Sequence, residues 1–220
     1  MILCIPDVLA GEALSEAQGA LGRMRFEDGA RTAGWHARLV KANLQAAAGD
    51  PAAEALTLAT RARLEAHELF RLAARPRALG PLLVSRYDAG MGYGAHVDDA
   101  LMGGLRSDVS FTLFLSPPES YDGGELVLDS TAGEQGFKLA AGSLVLYPST
   151  TLHRVETVNR GSRAAIVGWA QSLVRDAQRR ELLFDLETAR RAMFEQAGKT
   201  AAFDLVSKSL ANLIRQWAEP

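Results

Sequence analysis

Cysteine is almost absent: Cys4 is the only one in 220 residues. An intrachain disulfide and a cysteine-based zinc cluster are excluded, and a reducing compartment suits the chain. An excess of either charge is missing as well. Twenty-four basic against 26 acidic residues leave a formal net charge of −2, so no strong nonspecific attraction to nucleic acid or anionic lipid is expected. No run approaches eighteen apolar residues, and the apolar start, Met1 to Ile5, lacks a basic flank and a sustained hydrophobic stretch. The chain reads as soluble and cytoplasmic, with Ile2, Leu3 and Ile5 as a first strand that Pro6 halts. Histidine is scarce too, at four residues, which limits the candidate metal ligands from the outset. What is plentiful is apolar material: 48% of residues are hydrophobic, enough for a substantial core in one domain or two small ones.

Three zones follow one another. From about Leu9 to Arg75 the chain is alanine-rich, and Asp50-Pro51 is the arrangement expected at a helix start. A long helix through Arg71 is predicted, with a stripe of Leu56, Ala59, Arg63, Ala66 and Phe70 laid on something larger. His67 on this helix and His36 before it read as surface or packing histidines. From about Pro81 to Ser172 the period becomes two, as in Val109, Phe111, Leu113 and Leu115, or Leu144 and Leu146 against Val145 and Tyr147. Turn signals stand at Ala89-Gly90, Pro117-Pro118, Asp122-Gly123-Gly124, Ala141-Gly142 and Asn159-Arg160-Gly161, so the pattern is that of a sandwich or barrel. After about Arg175 the period returns to 3.6. Leu182, Leu186, Ala189 and Met193 form one stripe, Gly198 interrupts, and Phe203, Val206, Leu210, Leu213 and Trp217 form a second. Those faces must be covered by each other, by the sandwich, or by another copy in a homo-oligomer.

The chemistry is carried by His96-Val97-Asp98. In an extended segment residues two apart share a face, so His96 and Asp98 reach one point in space while Val97 turns away. His153, after Pro148 and a Ser-Thr-Thr run, is the candidate third ligand, since the strand zone holds no other histidine. Two imidazoles and one carboxylate on iron(II) leave coordination positions open for oxygen chemistry. Asp99 points away from Asp98 and is not counted; Arg154 also points away from the metal and is free to meet an acidic substrate. Arg163 lies near the start of an apolar strand. An arginine there needs a partner: an acidic strand neighbour, with Asp108, Glu125 and Glu156 as candidates, or the far carboxylate of a keto acid chelating the metal. A simple hairpin around Gly161 would set Arg163 roughly 16 Å from His153, so the chain is inferred to cross between sheets there instead.

The segments Tyr93-Gly94-x-His96-Val97-Asp98, Phe111 to Ser116, Tyr121 to Leu126, Gly142-x-Leu144-Val145-Leu146-Tyr147-Pro148-Ser149 and His153-Arg154-Val155, with Tyr87 before them and Gly161-x-Arg163 and Trp169 to Asp176 after, resemble the bacterial PKHD-type hydroxylases. These are iron(II)/2-oxoglutarate dioxygenases similar to prolyl 4-hydroxylases, and the resemblance covers nearly the whole chain. It implies an α+β fold with a double-stranded β-helix, or jelly-roll, core. With the zones above, the dioxygenase domain is expected over 1–174 (helical flank 9–75, core 81–174), followed by a helical extension over 175–220. The resemblance also implies Fe(II) on His96, Asp98 and His153, 2-oxoglutarate on Arg163 with Tyr87 in its pocket, L-ascorbate as a rescuing reductant, and a link to bacterial iron uptake. The position that often carries a second tyrosine holds Phe114. Tyr147 is either core or pocket, Trp169 likewise, and 99–108 and 29–43 are the expected lids. The expected activity is hydroxylation of a small-molecule or peptide substrate with conversion of 2-oxoglutarate to succinate. A non-catalytic iron-binding or iron/2-oxoglutarate-sensing jelly roll is the alternative, and a zinc hydrolase a third reading.

Overall fold

The computed structural model describes residues 1–32 and 34–220. Strand β1 (Leu3–Ile5) leads into helix α1 (Gly11–Leu21), followed by short strands β2 (Phe26–Asp28), β3 (Lys41–Ala42) and β4 (Leu44–Ala46) and by helices α2 (Pro51–Ala66) and α3 (Glu68–Ala74). The central strands are β5 (Pro76–Asp88), β6 (Gly92–His96), β7 (Leu101–Met102), β8 (Leu105–Arg106), β9 (Val109–Phe114), β10 (Tyr121–Gly123), β11 (Leu126–Ser130), β12 (Gly133–Phe137), β13 (Leu144–Pro148), β14 (His153–Val155) and β15 (Val158–Ser172). Helices α4 (Ala177–Ala197) and α5 (Ala201–Trp217) complete the chain. Among the described residues no helix is long and apolar enough to cross a membrane.

All pairings are antiparallel. The larger sheet runs β1-β13-β9-β15-β5-β4-β2, with β10 added on β15; the smaller runs β12-β11-β14-β6-β3, and β7 pairs with β8. This is the expected jelly roll with flanking helices. The larger sheet is buried on both faces, which is why its strands alternate between two apolar sets. Phe111, Leu113, Leu144, Leu146 and Ile166 belong to the core shared with Leu64 and Phe70 of the helical layer, whereas Phe114, Val145 and Tyr147 pack in the core shared with β11 and β14 of the smaller sheet. Phe70 meets Phe111 edge to face at 5.5 Å.

The predicted long helix breaks at His67, whose extended backbone ends α2 and whose Nδ1 accepts from the Phe70 N–H at 3.4 Å to start α3. The buried face of α2 is Ala53, Leu56, Thr60 and Leu64, while Ala59, Arg63 and Ala66 are exposed. Asp50 caps α2 as expected, its carboxylate accepting from the Ala52 and Ala53 N–H groups. The N-terminal flank also holds β2 to β4, which the periodicity did not show, and β5 begins at Pro76, several residues earlier than Pro81. Asn159-Arg160-Gly161 is not a turn. It lies inside the fifteen-residue β15, where Gly161 at φ +79° passes so close to β10 that a Cβ would stand 2.2 Å from the Ser120 carbonyl. The crossing between sheets takes place at Glu156-Thr157, between β14 and β15, just before the position inferred.

The second C-terminal stripe packs within the chain: Leu210, Leu213 and Trp217 of α5 join Leu183 and Leu186 of α4 over Val174. The first stripe is displaced by about one residue, with Arg180, Leu183 and Glu187 buried, and Leu182 and Ala189 exposed. Buried polar groups displace it. The Arg180 guanidinium donates to the Val174, Arg175 and Asp108 carbonyls at 2.8, 2.7 and 3.1 Å, tying α4 to the end of β15 and the start of β9. Arg180→Leu is therefore expected to destabilise the fold by about 2–4 kcal/mol, the scale of lost hydrogen bonds to a charged group plus orphaned carbonyls. Urea unfolding with an unchanged midpoint would contradict this.

Candidate active site

His96 ends β6 directly opposite His153 on β14, and the chain stays extended long enough to bring Asp98 to the same side. Ligating atoms of the three lie within 4.8 Å of one another, and His153 Nε2 is 3.8 Å from Asp98 Oδ1. Each imidazole is oriented by backbone. His96 Nδ1 is 2.8 Å from the Gly94 carbonyl and His153 Nδ1 is 2.9 Å from the Thr151 carbonyl. A carbonyl only accepts, so each Nδ1 carries the hydrogen and each Nε2 keeps its lone pair for a ligand. Ser110 donates to Asp98 Oδ2 at 2.5 Å, with the Ser149 hydroxyl 2.8 Å from it, so Oδ1 stays open. Tyr93 stacks on His96 at 3.6 Å and Tyr147 meets His153 edge-on at 5.2 Å. Burial, then the neighbouring His153, pushes His96 down to about 4, so it is neutral near pH 7, the form that ligates a metal.

The triad opens into a cavity of about 300 Å³ between the two sheets. Its far end is Arg163, 1% exposed, with Nε and both terminal nitrogens lacking a hydrogen-bond partner. The guanidinium carbon stands 5.2 Å from the Tyr87 ring, its cross-strand neighbour, and 5.3 Å from the Phe114 ring. None of the three acids considered as partners reaches it. Asp108 binds Arg106 at 2.8 Å, Glu156 binds Arg154 at 2.7 Å, and Glu125 lies 3.9 Å from Lys138. A buried guanidinium without a counter-charge is costly, and a planar oxyanion is its natural complement. Gly124, at φ +70°, makes room for it: a Cβ there would sit 3.1 Å from Arg163 Cδ.

Two imidazoles and one carboxylate are a donor set suited to iron(II), and the unpartnered Arg163 fits the far carboxylate of a dicarboxylic keto acid. Of the other residues singled out, Tyr87, Tyr147 and Trp169 all line the cavity, and the Trp169 indole N–H has no partner. Arg154 points away from the metal ligands but is not free for a substrate. It is bidentate to Glu134 at 2.7 and 2.8 Å and also binds Glu156. Asp99 lines the mouth against Gly34, so the 99–108 and 29–43 segments meet there. His36 and His67 are outside the cavity lining. The sequence reading did not single out Ser110, Tyr93 or Gln45, nor Thr32, Lys41 and Asn43 within the 29–43 segment expected as a lid, and all of them line the cavity. The alternation Lys41-x-Asn43-x-Gln45 was the available signal, hidden by an alanine-rich zone that reads as helix.

The residue pattern of the 2OG-Fe(II) oxygenase superfamily matches residues 82–171, from the middle of β5 to nearly the end of β15. A PKHD-type hydroxylase of Acaryochloris marina is 57% identical over 219 residues, covering 100% of both chains. Two solved structures share the fold: a Pseudomonas putida prolyl-4-hydroxylase (TM-score 0.53, 20% identity, 78% of this chain and 92% of that one) and a Trichoplax adhaerens prolyl hydroxylase in complex with a hypoxia inducible factor peptide fragment (TM-score 0.56, 18% identity, 82% and 86%). With full-length identity of this order and the His96, Asp98, His153 cluster in place, the chain belongs to the PKHD-type hydroxylases of the 2OG-Fe(II) oxygenase superfamily.

Proposed function

We propose that His96, Asp98 and His153 hold iron(II), that Arg163 receives the far carboxylate of 2-oxoglutarate with Tyr87 beside it, and that the enzyme hydroxylates a C–H bond while 2-oxoglutarate becomes succinate and carbon dioxide. The observation that carries this is the buried, unpartnered Arg163 in the same cavity as the triad. When bound, the iron and 2-oxoglutarate supply the oxygen activation. The residues supply placement. The Gly94 and Thr151 carbonyls fix the two imidazole tautomers, and Ser110 fixes the Asp98 carboxylate. Tyr147, packed against His153, and the apolar walls Leu83 and Val167 keep water from the reacting region.

A metal-binding protein without a cosubstrate needs the triad, but its metal gives no reason for a buried cation at the far end of the cavity; an iron/2-oxoglutarate sensor would need both and differs in forming no succinate. The proposal leaves the substrate as a small molecule or a peptide, with the Trichoplax relative's peptide complex as the precedent for the latter. L-ascorbate as a reductant, a role in bacterial iron homeostasis and a cytoplasmic setting are supported by the family resemblance and by the single cysteine. The test is anaerobic reconstitution with iron(II), then 2-oxoglutarate, then oxygen. A weak visible charge-transfer band followed by succinate is expected; iron binding without succinate overturns the dioxygenase reading, in favour of an iron/2-oxoglutarate sensor where the band appears and of a plain iron-binding protein where it does not.

A further inference from the structure

The protein has only four lysines. Lys138 donates to the Tyr121 carbonyl at 2.7 Å, Lys199 pairs with Asp204 at 2.9 Å, and Lys208 is exposed on α5. Lys41 is different: it is partly buried and lines the active-site cavity. Its ammonium stands 5.1 Å over the Tyr93 ring, the same ring that stacks on His96, so the cation is one aromatic layer removed from the metal ligands. Among the described residues its one hydrogen bond runs to Thr32 Oγ1 at 3.2 Å, and it forms no ion pair. Burial pushes the ammonium down to about 8, with Asp98 and Asp28 the acids that offset this in part.

Two residues on lies Asn43, 4% exposed, where the chain passes from β3 of the smaller sheet to β4 of the larger. The β4–β5 register, with Leu44 opposite Arg86 and Gln45 opposite Ser85, sets Asn43 beside Tyr87, the cross-strand neighbour of Arg163, so its amide belongs to the Arg163 end of the cavity. Gln45 is already engaged by the Thr32 hydroxyl, which leaves the Lys41 ammonium as the open charged group on the smaller-sheet side.

We infer that Lys41 anchors a carboxylate carried by the primary substrate, separate from the Arg163 end that takes the cosubstrate. The inference rests on the proposed function only in assigning Arg163 to 2-oxoglutarate. A single ammonium balances one negative charge, whereas a phosphate dianion would call for a second cation or a bidentate arginine. Lys41 stands on β3 of the smaller sheet, opposite Tyr93, while Arg163 stands on β15 of the larger, so such a contact would hold an amino acid, a hydroxy acid or an acidic side chain by its carboxylate.

The test uses the full chain labelled with ¹³C at lysine Cε, loaded with Zn(II) in place of iron and saturated with 2-oxoglutarate. The four lysine resonances are assigned with Lys41→Met. Acetate is expected to shift the Lys41 resonance to saturation and leave the other three in place, while neutral acetamide moves none. Lack of any saturable shift with acetate overturns the subsite. So does a Lys41 shift that saturates with 2-oxoglutarate itself, which would place Lys41 in the cosubstrate site. Calorimetry of 2-oxoglutarate binding to the Zn(II)-loaded chain before that saturation keeps the two questions apart, because its failure removes the Arg163 assignment without moving the acetate result.

Discussion

Replacing Arg163 by methionine is expected to weaken 2-oxoglutarate binding by roughly 100-fold or more and, at the same time, to raise the melting temperature of the cosubstrate-free protein. The first effect follows from removing one partner of a buried, charge-assisted contact, for which losses of about 2–5 kcal/mol are usual. The second follows from the orphaned nitrogens. Arg163 is buried beneath Tyr87 and Phe114 without a protein counter-charge, so its desolvation is uncompensated until a ligand arrives. Methionine fills similar volume without that cost, and for a chain of this size each kcal/mol recovered is worth about 2–4 °C. Calorimetry and thermal unfolding, with and without 2-oxoglutarate, read both effects. Ligand at a hundredfold excess over its Kd should stabilise the parent by about 2.7 kcal/mol and the variant far less. Parental affinity in the variant would remove Arg163 as the cosubstrate handle; a lower melting temperature would recast it as a structural residue.

That opposition between stability and ligand binding is the reason Arg163 was legible in the sequence: an arginine in an apolar strand breaks a local rule with no visible compensation. His96, Asp98 and His153 were legible for a similar reason, since only four histidines exist and two-residue alternation puts His96 and Asp98 on one side. β9 and β13 were legible as alternating runs, Val109, Phe111 and Leu113 against Ser110 and Thr112, and Leu144 and Leu146 against Val145 and Tyr147, because their two faces pack in different surroundings. What stayed hidden depends on pairing rather than propensity. β2 to β4 are two or three residues each, in alanine-rich sequence, and exist because β5 and β6 offer edges to them. Asn159-Arg160-Gly161 carries turn chemistry, yet the glycine serves close approach to β10 inside a continuous strand. On α4 an apolar stripe lost to Arg180 and Glu187, whose burial is set by carbonyls and arginines on other elements. Lys41 falls inside the 29–43 segment expected as a lid, but with β3 unread nothing in the sequence set its side chain apart from its neighbours.

Asp98→Ala is expected to abolish succinate formation and to lower metal affinity by more than the roughly 10–100-fold typical of losing an outer-shell partner, since a direct ligand is removed. The fold should tolerate the change. Ser110 keeps its contact with Ser149 when the carboxylate is gone, and both histidines keep their backbone carbonyl partners. The two readouts therefore separate. In the parent, added Mn(II) or Fe(II) raises the melting temperature by mass action on the folded state, and in Asp98→Ala that increment shrinks while the metal-free melting temperature stays within a few degrees. A damaged fold would instead lower the metal-free value. Turnover at the parental rate in Asp98→Ala, with a full metal-induced stabilisation, would remove Asp98 from the coordination sphere and leave two histidines without the carboxylate that completes the iron(II) site.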